Sequence, residues 1–267
     1  MRDSDLIRRR NFFARFGLYA GGVTALAATP SRSSPEPTPL PEANGGEERV
    51  SARSLGARAN GTGDDGAILT AAIAARWGTL ADRQSNVPIA IDFGDSRNVY
   101  NLASPIRVRQ NHIRLVGNGA ILQCSGESAI VGDHAESPNI LMGAEIRGFT
   151  LRGDIKGDAI VIRSGSQCRI EAIRNYARVA GAVVHFTGVT SSRTRDVASD
   201  GEFGGSCRHL VRETVYEKTP GHYFNCIANV HAELVAFHCT GAGIFLSESD
   251  SFHLSGDVEA CAGPGVD

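Results

Sequence analysis

The chain has 267 residues, of which 42% are hydrophobic, and its formal net charge at pH 7 is -2. No apolar run reaches the roughly 18 residues that a membrane-spanning helix needs, and the composition excludes collagen-like and disordered proteins. The near-neutral charge argues against a dedicated nucleic-acid-binding protein, which carries a basic surface. Glycine contributes 31 residues, well above its average of about 7%, and this excess indicates many tight turns between short strands.

Residues 1–28 have the layout of an export signal. Arginines precede a weakly apolar stretch, Gly17–Ala28, in which Ala25-Leu26-Ala27 offers a small-residue cleavage site. The pair Arg9-Arg10 resembles the twin-arginine signal of bacteria. This pattern predicts a periplasmic or secreted protein with no membrane span once the signal is cleaved. The alternative interpretation is a basic amphipathic arm on a cytoplasmic protein.

A linker and a capping helix follow. Residues 29–49 hold five of the ten prolines together with Ser, Glu and Gly, a composition typical of a linker, so the folded domain is predicted at 50–267. Asp64 and Asp65 end a glycine-rich turn, and we interpret them as helix-capping residues rather than as a catalytic pair. Apolar residues then recur at helical spacing. They are Ile68, Leu69, Ala72, Ile73 and Trp77.

Several motifs in residues 50–125 resemble one protein family. They are Ser54-Leu55-Gly56-Ala57, Gly61-Thr62-Gly63-Asp64-Asp65, Val99-Tyr100-Asn101-Leu102 and Leu115-Val116-Gly117-Asn118-Gly119-Ala120. Together they resemble the opening of the pectate-lyase superfamily, which includes rhamnogalacturonase-like and exo-glucanase-like enzymes and phage tailspikes. The resemblance implies an all-β fold, a right-handed parallel β-helix (a pectin-lyase-like solenoid) with an N-terminal capping α-helix. One departure is Asp95-Ser96-Arg97-Asn98, where the family has Pro-x-Gly before the tyrosine.

A repeat along the chain points to the same solenoid. Six glycines, separated by 31, 24, 24, 36 and 22 residues, occupy equivalent positions in our alignment. They are Gly126, Gly157, Gly181, Gly205, Gly241 and Gly263. Apolar residues lie two positions before each glycine and mostly polar residues three before, as stacked β-coils require. The two long steps predict loops at 131–142 and 212–225.

The six cysteines fit the same repeat. Cys124, Cys239 and Cys261 fall in one predicted interior column, where a free cysteine behaves as a small hydrophobic residue. A Cys239–Cys261 disulfide between adjacent coils is the alternative. No Cys-x-x-Cys spacing supports a zinc or redox motif, and His231-Ala232-Glu233 lacks the second half of a zinc-deaminase motif.

A polar column on the outside of the solenoid holds the predicted catalytic residues. Asp154, Arg178, Glu202 and His238 align three positions before the repeat glycines. Asp154 and Glu202 would lie two coils apart, about 10 Å, which is compatible with the two carboxyl groups of an inverting glycosidase. Arg178 would bind a sugar carboxylate or phosphate, and His238 would transfer a proton. The alternative is a ladder of surface ion pairs.

A second column and one loop supply further substrate-binding candidates. His185 and His209 are predicted to project from neighbouring coils, where they would bind a ligand or act as acid and base, or simply be half-buried surface residues. Tyr223 lies in the predicted loop 212–225, where a sugar ring could stack, although such a loop equally serves packing or partner contact.

These features favour an exported protein that acts on an extended polysaccharide as a glycoside hydrolase or polysaccharide lyase. A non-catalytic glycan-binding or adhesion module and a C5-epimerase-type enzyme are the alternatives. No cofactor is certain. Calcium is expected only for a lyase, with Asp154, Asp158, Asp196, Asp200 and Glu202 as carboxylate candidates. The last repeat stops at Val266-Asp267, and an uncapped coil there predicts self-association through exposed strand edges.

Overall fold

Parallel strands stacked in register dominate the computed structural model, which describes residues 47–78, 88–133, 140–201, 204–219 and 221–267. The predicted export signal, 1–28, lies outside these residues, as does most of the predicted linker, 29–49. The first strand begins at Glu48, so the last residues assigned to the linker already belong to the fold. Among the described residues, the structure contains no helix that is both long and apolar enough to cross a membrane.

The strands form three faces of a solenoid. Face A runs β1 (Glu48–Ser51), β2 (Ile89–Asp92), β5 (Ile113–Val116), β9 (Glu145–Arg147), β12 (Arg169–Asn175), β15 (Arg193–Asp200), β20 (Val230–Phe237) and β23 (His253–Glu259). Face B comprises β3 (Val99–Leu102), β6 (Ile121–Cys124), β10 (Thr150–Ile155) and β13 (Arg178–Val179). Face C comprises β4 (Ile106–Val108), β7 (Ile130–Gly132), β8 (Leu141–Met142), β11 (Ile160–Ser166), β14 (Ala182–Thr190), β16 (His209–Thr214), β19 (Cys226–Ile227), β21 (Ile244–Leu246) and β22 (Ser249–Asp250).

Each coil visits face A, then face B, then face C, and each strand pairs in parallel with its equivalent in the next coil. Parallel crossovers of this kind are right-handed. The right-handed parallel β-helix predicted from the sequence is therefore confirmed. Antiparallel pairing occurs in a hairpin inserted in face C, in which β17 (Tyr216–Thr219) pairs with β18 (His222–Phe224), and in an isolated bridge between Asp95 and Gly119. The predicted loop 212–225 thus contains the end of β16 and this hairpin.

The turn from face C to face A has the same backbone conformation in every coil. One residue per turn adopts a positive φ, and the series is His112, Gly143, Gln167, Ser191, Ala228 and Ser251. Each backbone N–H at this position from His112 to Ala228 donates to a carbonyl of the following coil, for example Gln167 to Thr190. Only one of the six is a glycine, so the repeat includes a turn that glycine spacing does not reveal.

Helix α1 (Asp65–Trp77) covers the first coils. Asp64 is its N-cap and accepts a hydrogen bond from the backbone N–H of Ala67. Asp65 is fully buried and accepts from the backbone N–H groups of Arg58 and Asn101 at 2.7 and 3.2 Å. The interpretation of these aspartates as capping and turn residues is confirmed, because both oxygens of Asp65 are used to hold backbone.

The interior is a stack of aliphatic columns. In face A, Ile91, Leu115, Ile146 and Ile170 succeed one another in register and are at most 1% exposed. Burying each such side chain stabilises the fold by about 1.5–3 kcal/mol. The column becomes polar in the later coils, where Thr194 and His231 occupy the next two positions.

A buried polar network surrounds His231. Its Nε2–H donates to Glu213 Oε1 at 2.8 Å, and its Nδ1 shares a hydrogen bond with Thr194 Oγ1 at 2.8 Å. The amide of Asn229 also donates to Glu213 Oε1, at 2.7 Å. All four residues are at most 1% exposed, so a carboxylate and an imidazole face each other inside the solenoid.

The repeat alignment is wrong at Gly205, is off by one or two residues between Gly126 and Gly157, and is correct for Gly241 and Gly263, since Ile244 bridges Val266. The bridge partner of Arg178 is Ser206, and Val184 pairs with Val211. The offset between these coils is therefore 27 or 28 residues, whereas the glycine spacing placed Gly205 at an offset of 24. The connection from β15 to β16 is longer than a minimal turn, and this length displaces each predicted column by three or four positions in that coil.

Candidate functional site

The predicted catalytic column begins with an ion pair on face B. Asp154 and Arg178 are in register on β10 and β13, and Arg178 Nη2 donates to Asp154 Oδ2 at 2.8 Å. Their side chains are 57% and 75% exposed. The hydrogen bond from Arg178 holds the pKa of Asp154 below its ordinary value of 3.8. The predicted proximity of these two residues is correct, and their geometry is that of a solvated ion pair.

The pair borders an open cleft of about 340 Å³. The lining residues are Asp154, Ile155, Lys156, Arg178, Val179, Ala180, Ser206, Cys207 and Thr240. Glu202 lies outside the described residues, and Ser206 rather than Glu202 is in register beside Arg178. His238 does not line the cleft; its Nδ1 is 3.9 Å from Asp200 Oδ1. The cleft thus brings together Asp154 and Arg178 and leaves His238 elsewhere.

A more enclosed cluster lies on the outer side of face C. His185 of β14 has Nδ1 2.7 Å from Asp158 Oδ2 and Nε2 2.8 Å from Thr214 Oγ1. Asp158 Oδ1 accepts the backbone N–H of Ala182 at 2.7 Å. The side chains of His185 and Asp158 are 12% and 17% exposed. A carboxylate only accepts hydrogen bonds, so the proton shared with Asp158 belongs to Nδ1 of His185. In the neutral ring Nε2 then carries no proton and faces the hydroxyl of Thr214.

The hydrogen-bond and charged partners of Asp158 keep its carboxyl group ionised. Burial acts to raise the pKa of Asp158, but the hydrogen bonds from His185 and the Ala182 N–H, together with the electrostatic interactions with His185 and Arg212, outweigh that effect. The pKa therefore lies below the ordinary value of 3.8. Asp158 is an anion at neutral pH and orients the imidazole, which is the arrangement that a histidine base requires.

His209 does not share this cluster. It pairs in register with Ala182, whereas the neighbour of His185 in the next coil is Arg212. The prediction of adjacent histidines is wrong because the longer connection before β16 shifts the register by three residues. His209 is 7% exposed, shares a hydrogen bond between Nδ1 and the Ala242 carbonyl at 2.7 Å, and its burial lowers its pKa below 6.5.

Arginines line the same face as His185. Arg107, Arg109 and Arg163 all contact the carboxylate of Asp133, at 3.2, 3.1 and 3.6 Å. Among the described residues, one carboxylate contacts three guanidinium groups at this end of face C. Arg107 and Arg109 belong to the coil of β4, Arg163 to that of β11 and Arg212 to that of β16, so arginines recur in every second coil, about 10 Å apart.

The inserted hairpin borders the site. At Gly188 of β14, φ is +61° and an added Cβ would lie 2.6 Å from the Cβ of Tyr216, so the hairpin packs directly on this strand. Tyr223 of β18 is 59% exposed, and the hydrogen bond with the Glu217 carboxylate raises its pKa above 10.0. Tyr223, which was predicted to stack on a sugar ring, therefore lies on a hairpin that packs against β14 at Gly188, three residues from His185.

The chemistry available at face C is proton transfer beside cationic groups. Within the part of the chain that the structure describes, no group of three or more His, Cys, Asp or Glu side chains is arranged to hold a metal ion. Four of the five calcium candidates have other partners: Asp154 pairs with Arg178, Asp158 contacts His185, Asp196 accepts two hydrogen bonds from Arg174, and Asp200 Oδ1 lies 3.9 Å from His238 Nδ1. The fifth, Glu202, lies outside the described residues. Sequence reasoning found His185 but not the roles of Asp158, Arg212 and Thr214, which depend on the coil offset.

Comparison with known proteins gives likenesses of fold. No family model matches the chain, and no curated protein matches it. The ORF18 structure of Geobacillus virus E2 is 15% identical to this chain, with a TM-score of 0.56. The match covers 78% of this chain but only 40% of ORF18. A putative glycosyl hydrolase from Parabacteroides merdae is 10% identical, with a TM-score of 0.48 and coverage of 82% and 96% of the two chains.

The A-module of the mannuronan C-5 epimerase AlgE4 from Azotobacter vinelandii is 13% identical, with a TM-score of 0.37 and coverage of 82% of this chain and 73% of that module. At 15% sequence identity the similarity to the viral structure supports the fold of this chain and no inference about its function. The function of this chain therefore has to be inferred from its own side chains.

Proposed function

We propose that this protein is an exported enzyme that acts on an acidic polysaccharide lying along face C, with His185 as the base that removes a proton from the sugar. The observation that carries the proposal is the His185 imidazole, held by Asp158 at 2.7 Å and placed in register beside Arg212. The hydrolase mechanism predicted from the sequence needs Glu202, which lies outside the described residues, whereas the lyase or epimerase mechanism needs one oriented base and a cation.

The row of arginines favours an acidic substrate. Guanidinium groups bind carboxylates with paired hydrogen bonds. Arg107 and Arg109, Arg163, and Arg212 occupy one face in every second coil, with Asp133 as the anion that contacts the first three. An extended glycan that carries a carboxylate on each sugar would meet a cationic side chain at regular intervals along the solenoid axis.

Proton removal would take place at the carbon that bears the sugar carboxylate. Nε2 of His185 accepts the proton, while Arg212 stabilises the negative charge that develops on the carboxylate. Loss of the glycosidic oxygen at the neighbouring carbon completes a lyase reaction, and return of a proton on the opposite face gives the epimer. Thr214 must first give up its hydrogen bond to Nε2 so that the sugar can approach.

The proposal is tested by incubating the protein with polymannuronate, polygalacturonate and a neutral β-glucan, with added calcium and with a chelator. An acidic polymer is expected to yield an unsaturated uronate, seen by its ultraviolet absorbance, or deuterium at the epimerised carbon in heavy water. His185→Ala is expected to abolish either signal while circular dichroism stays unchanged. Product only from the neutral glucan, or binding of an acidic polymer with no product, would contradict the enzymatic proposal and favour a hydrolase or a binding module, respectively.

A second candidate function, ester hydrolysis, is favoured by the Thr214 hydroxyl. A hydroxyl at 2.8 Å from Nε2 of a carboxylate-bound histidine has the geometry of an activated nucleophile. The variant Thr214→Val separates the two chemistries. If His185 is the base for the sugar, activity on the acidic polymer persists; if Thr214 is a nucleophile, release of acetate or methanol from an esterified glycan is lost.

Export by the twin-arginine route is part of the proposal and is supported by Arg9-Arg10 before a weakly apolar stretch. Replacing both residues by lysine is expected to leave the precursor in the cytoplasm of a bacterium that has this pathway, as measured by cell fractionation. The matched control, Arg15→Lys, makes the same charge-preserving substitution elsewhere in the same arm and is expected to be exported normally. Export of the double-lysine variant would contradict the twin-arginine assignment.

A further inference from the structure

Three cysteines stack in consecutive coils next to the cleft of face B. Cys207, Cys239 and Cys261 follow one another in the backbone ladder, since the Thr240 N–H donates to the Cys207 carbonyl and the Ala262 N–H to the Cys239 carbonyl. The predicted interior column was correct for Cys239 and Cys261, and the corrected register places Cys207 before them. All six cysteines of the chain are free thiols in the structure.

Two of the three thiols are in direct contact. Cys207 Sγ lies 3.4 Å from Cys239 Sγ, and the two residues are 1% and 2% exposed. Neighbouring strands of a parallel ladder are about 4.8 Å apart, which is within the Cα separation of about 4.4–6.8 Å that a disulfide spans. The sulfur atoms therefore need to approach by little more than 1 Å, through side-chain rotation, to reach the bond length of about 2.05 Å.

Cys207 is the member of the pair that borders the 340 Å³ cleft, which Lys156 and Arg178 also line. Its near-complete burial excludes a protein or a bulky disulfide as the oxidant, because such partners need an exposed sulfur. The class of oxidant that the pair requires is therefore a small one, such as a hydroperoxide.

The remaining thiols provide a contrast. Burial raises the pKa of Cys124 and Cys226 to about 12 and that of Cys168 to about 11. The hydrogen bond from Cys239 acts in the opposite direction on Cys207 and lowers its pKa below 9.0. Since the thiolate is the nucleophile, the lowered pKa favours Cys207 over the other three thiols as the attacking sulfur, beside the short distance to Cys239.

We propose that Cys207 and Cys239 form a peroxide-reactive dithiol that closes into a disulfide between adjacent coils. The Cys207 thiolate attacks one oxygen of a hydroperoxide, the O–O bond breaks, and after protonation the products are a sulfenic acid and water or an alcohol. The Cys239 sulfur then attacks the sulfenic sulfur, the S–S bond forms and water leaves. Two thiols are oxidised by two electrons and one peroxide is reduced, so the reaction is balanced.

The disulfide would join the coil that begins with β15 to the coil that begins with β20. Because a cross-link removes conformations from the unfolded chain, oxidation is expected to raise the midpoint of thermal unfolding. The site is separate from His185 and is independent of the proposed function.

The experiment treats the reduced full-length protein with hydrogen peroxide and then counts free thiols and maps peptides by mass spectrometry. Free thiols are expected to fall from six to four, with a Cys207–Cys239 linked peptide and a mass lower by two hydrogen atoms. Cys261→Ala is expected to leave this result unchanged, and Cys207→Ser to abolish it. Circular dichroism of each variant establishes that it is folded.

Three outcomes would overturn the inference. They are a Cys239–Cys261 linked peptide, oxygen addition to Cys207 without loss of the Cys239 thiol, and six free thiols after treatment. Should Cys207→Ser fail to fold, Cys239→Ala provides the test, because it is expected to stop the reaction at an oxidised Cys207 that a sulfenic-acid trap detects.

Discussion

Glu213→Ala is expected to lower the free energy of unfolding by about 3–5 kcal/mol, because it leaves the fully buried His231 without its carboxylate partner. The carboxylate of Glu213 accepts hydrogen bonds from both His231 and Asn229. Removing it leaves two buried donors without their acceptor and opens a cavity between faces A and C. Urea unfolding followed by circular dichroism measures the change.

The matched control is Glu233→Ala. Glu233 also forms an ion pair with a basic side chain, Arg195, at 2.8 Å, but their side chains are 56% and 53% exposed. Exposed pairs of this kind contribute about 0–1 kcal/mol, so the control is expected to unfold close to the wild type. If Glu213→Ala and Glu233→Ala lowered the free energy of unfolding by the same amount, burial would not be the reason that Glu213 stabilises the fold.

The same pair makes stability depend on pH. Burial acts to raise the pKa of Glu213, but the His231 hydrogen bond and charge outweigh it, and the pKa lies below 4.5. A carboxyl group with a depressed pKa in the folded state stabilises the fold above its unfolded pKa. That stability is lost as the pH falls below 4.5 and through the folded pKa. Glu213→Gln, which keeps an acceptor oxygen without the charge, is expected to lose less stability than Glu213→Ala and to be less sensitive to pH.

The overall fold could be predicted from the sequence because it depends on local chemistry repeated many times. Apolar residues at alternating positions, turn glycines and a capping aspartate each act within a few residues, and the helix with Leu69, Ile73 and Trp77 on its buried face follows from spacing alone. The same reasoning identified Cys239 and Cys261 as members of one column.

The arrangement of side chains between coils could not be predicted so well, because it depends on the exact length of every turn. The connection before β16 contains three or four residues more than the assumed repeat, and the partner of His185 changes from His209 to Arg212. Six positive-φ residues form the turns between faces C and A, and five of them are not glycine. A repeat based on glycine spacing therefore cannot locate those turns or correct the register.

The roles of Asp158 and Thr214 could not be predicted from the sequence for the same reason. Asp158 lies 27 residues before His185 and Thr214 lies 29 residues after it, so three coils have to be aligned before the cluster is visible. A search for polar residues that flank the outward positions of β14 in both neighbouring coils would have found it.

Asp158→Asn is expected to lower turnover of the acidic polysaccharide by about 100- to 10,000-fold, the range attributed to a general base. An amide in place of the carboxylate can donate to Nδ1 of His185. The ring proton then moves to Nε2, and the atom that should accept the sugar proton no longer can. The loss is expected in kcat with circular dichroism unchanged, whereas a purely structural role for Asp158 would lower the free energy of unfolding as well.

The comparison with Asp154→Asn decides which polar cluster is the active site. Asp154 is also an aspartate with a cationic partner, Arg178, but the pair lies in the open cleft of face B. If face C performs the chemistry, Asp154→Asn retains turnover within about twofold, because an exposed ion pair contributes little to the fold. If turnover is instead lost in Asp154→Asn and kept in Asp158→Asn, the catalytic residues lie along face B, as the sequence predicted. The two substitutions remove the same charge, so any difference between them reflects where the substrate binds.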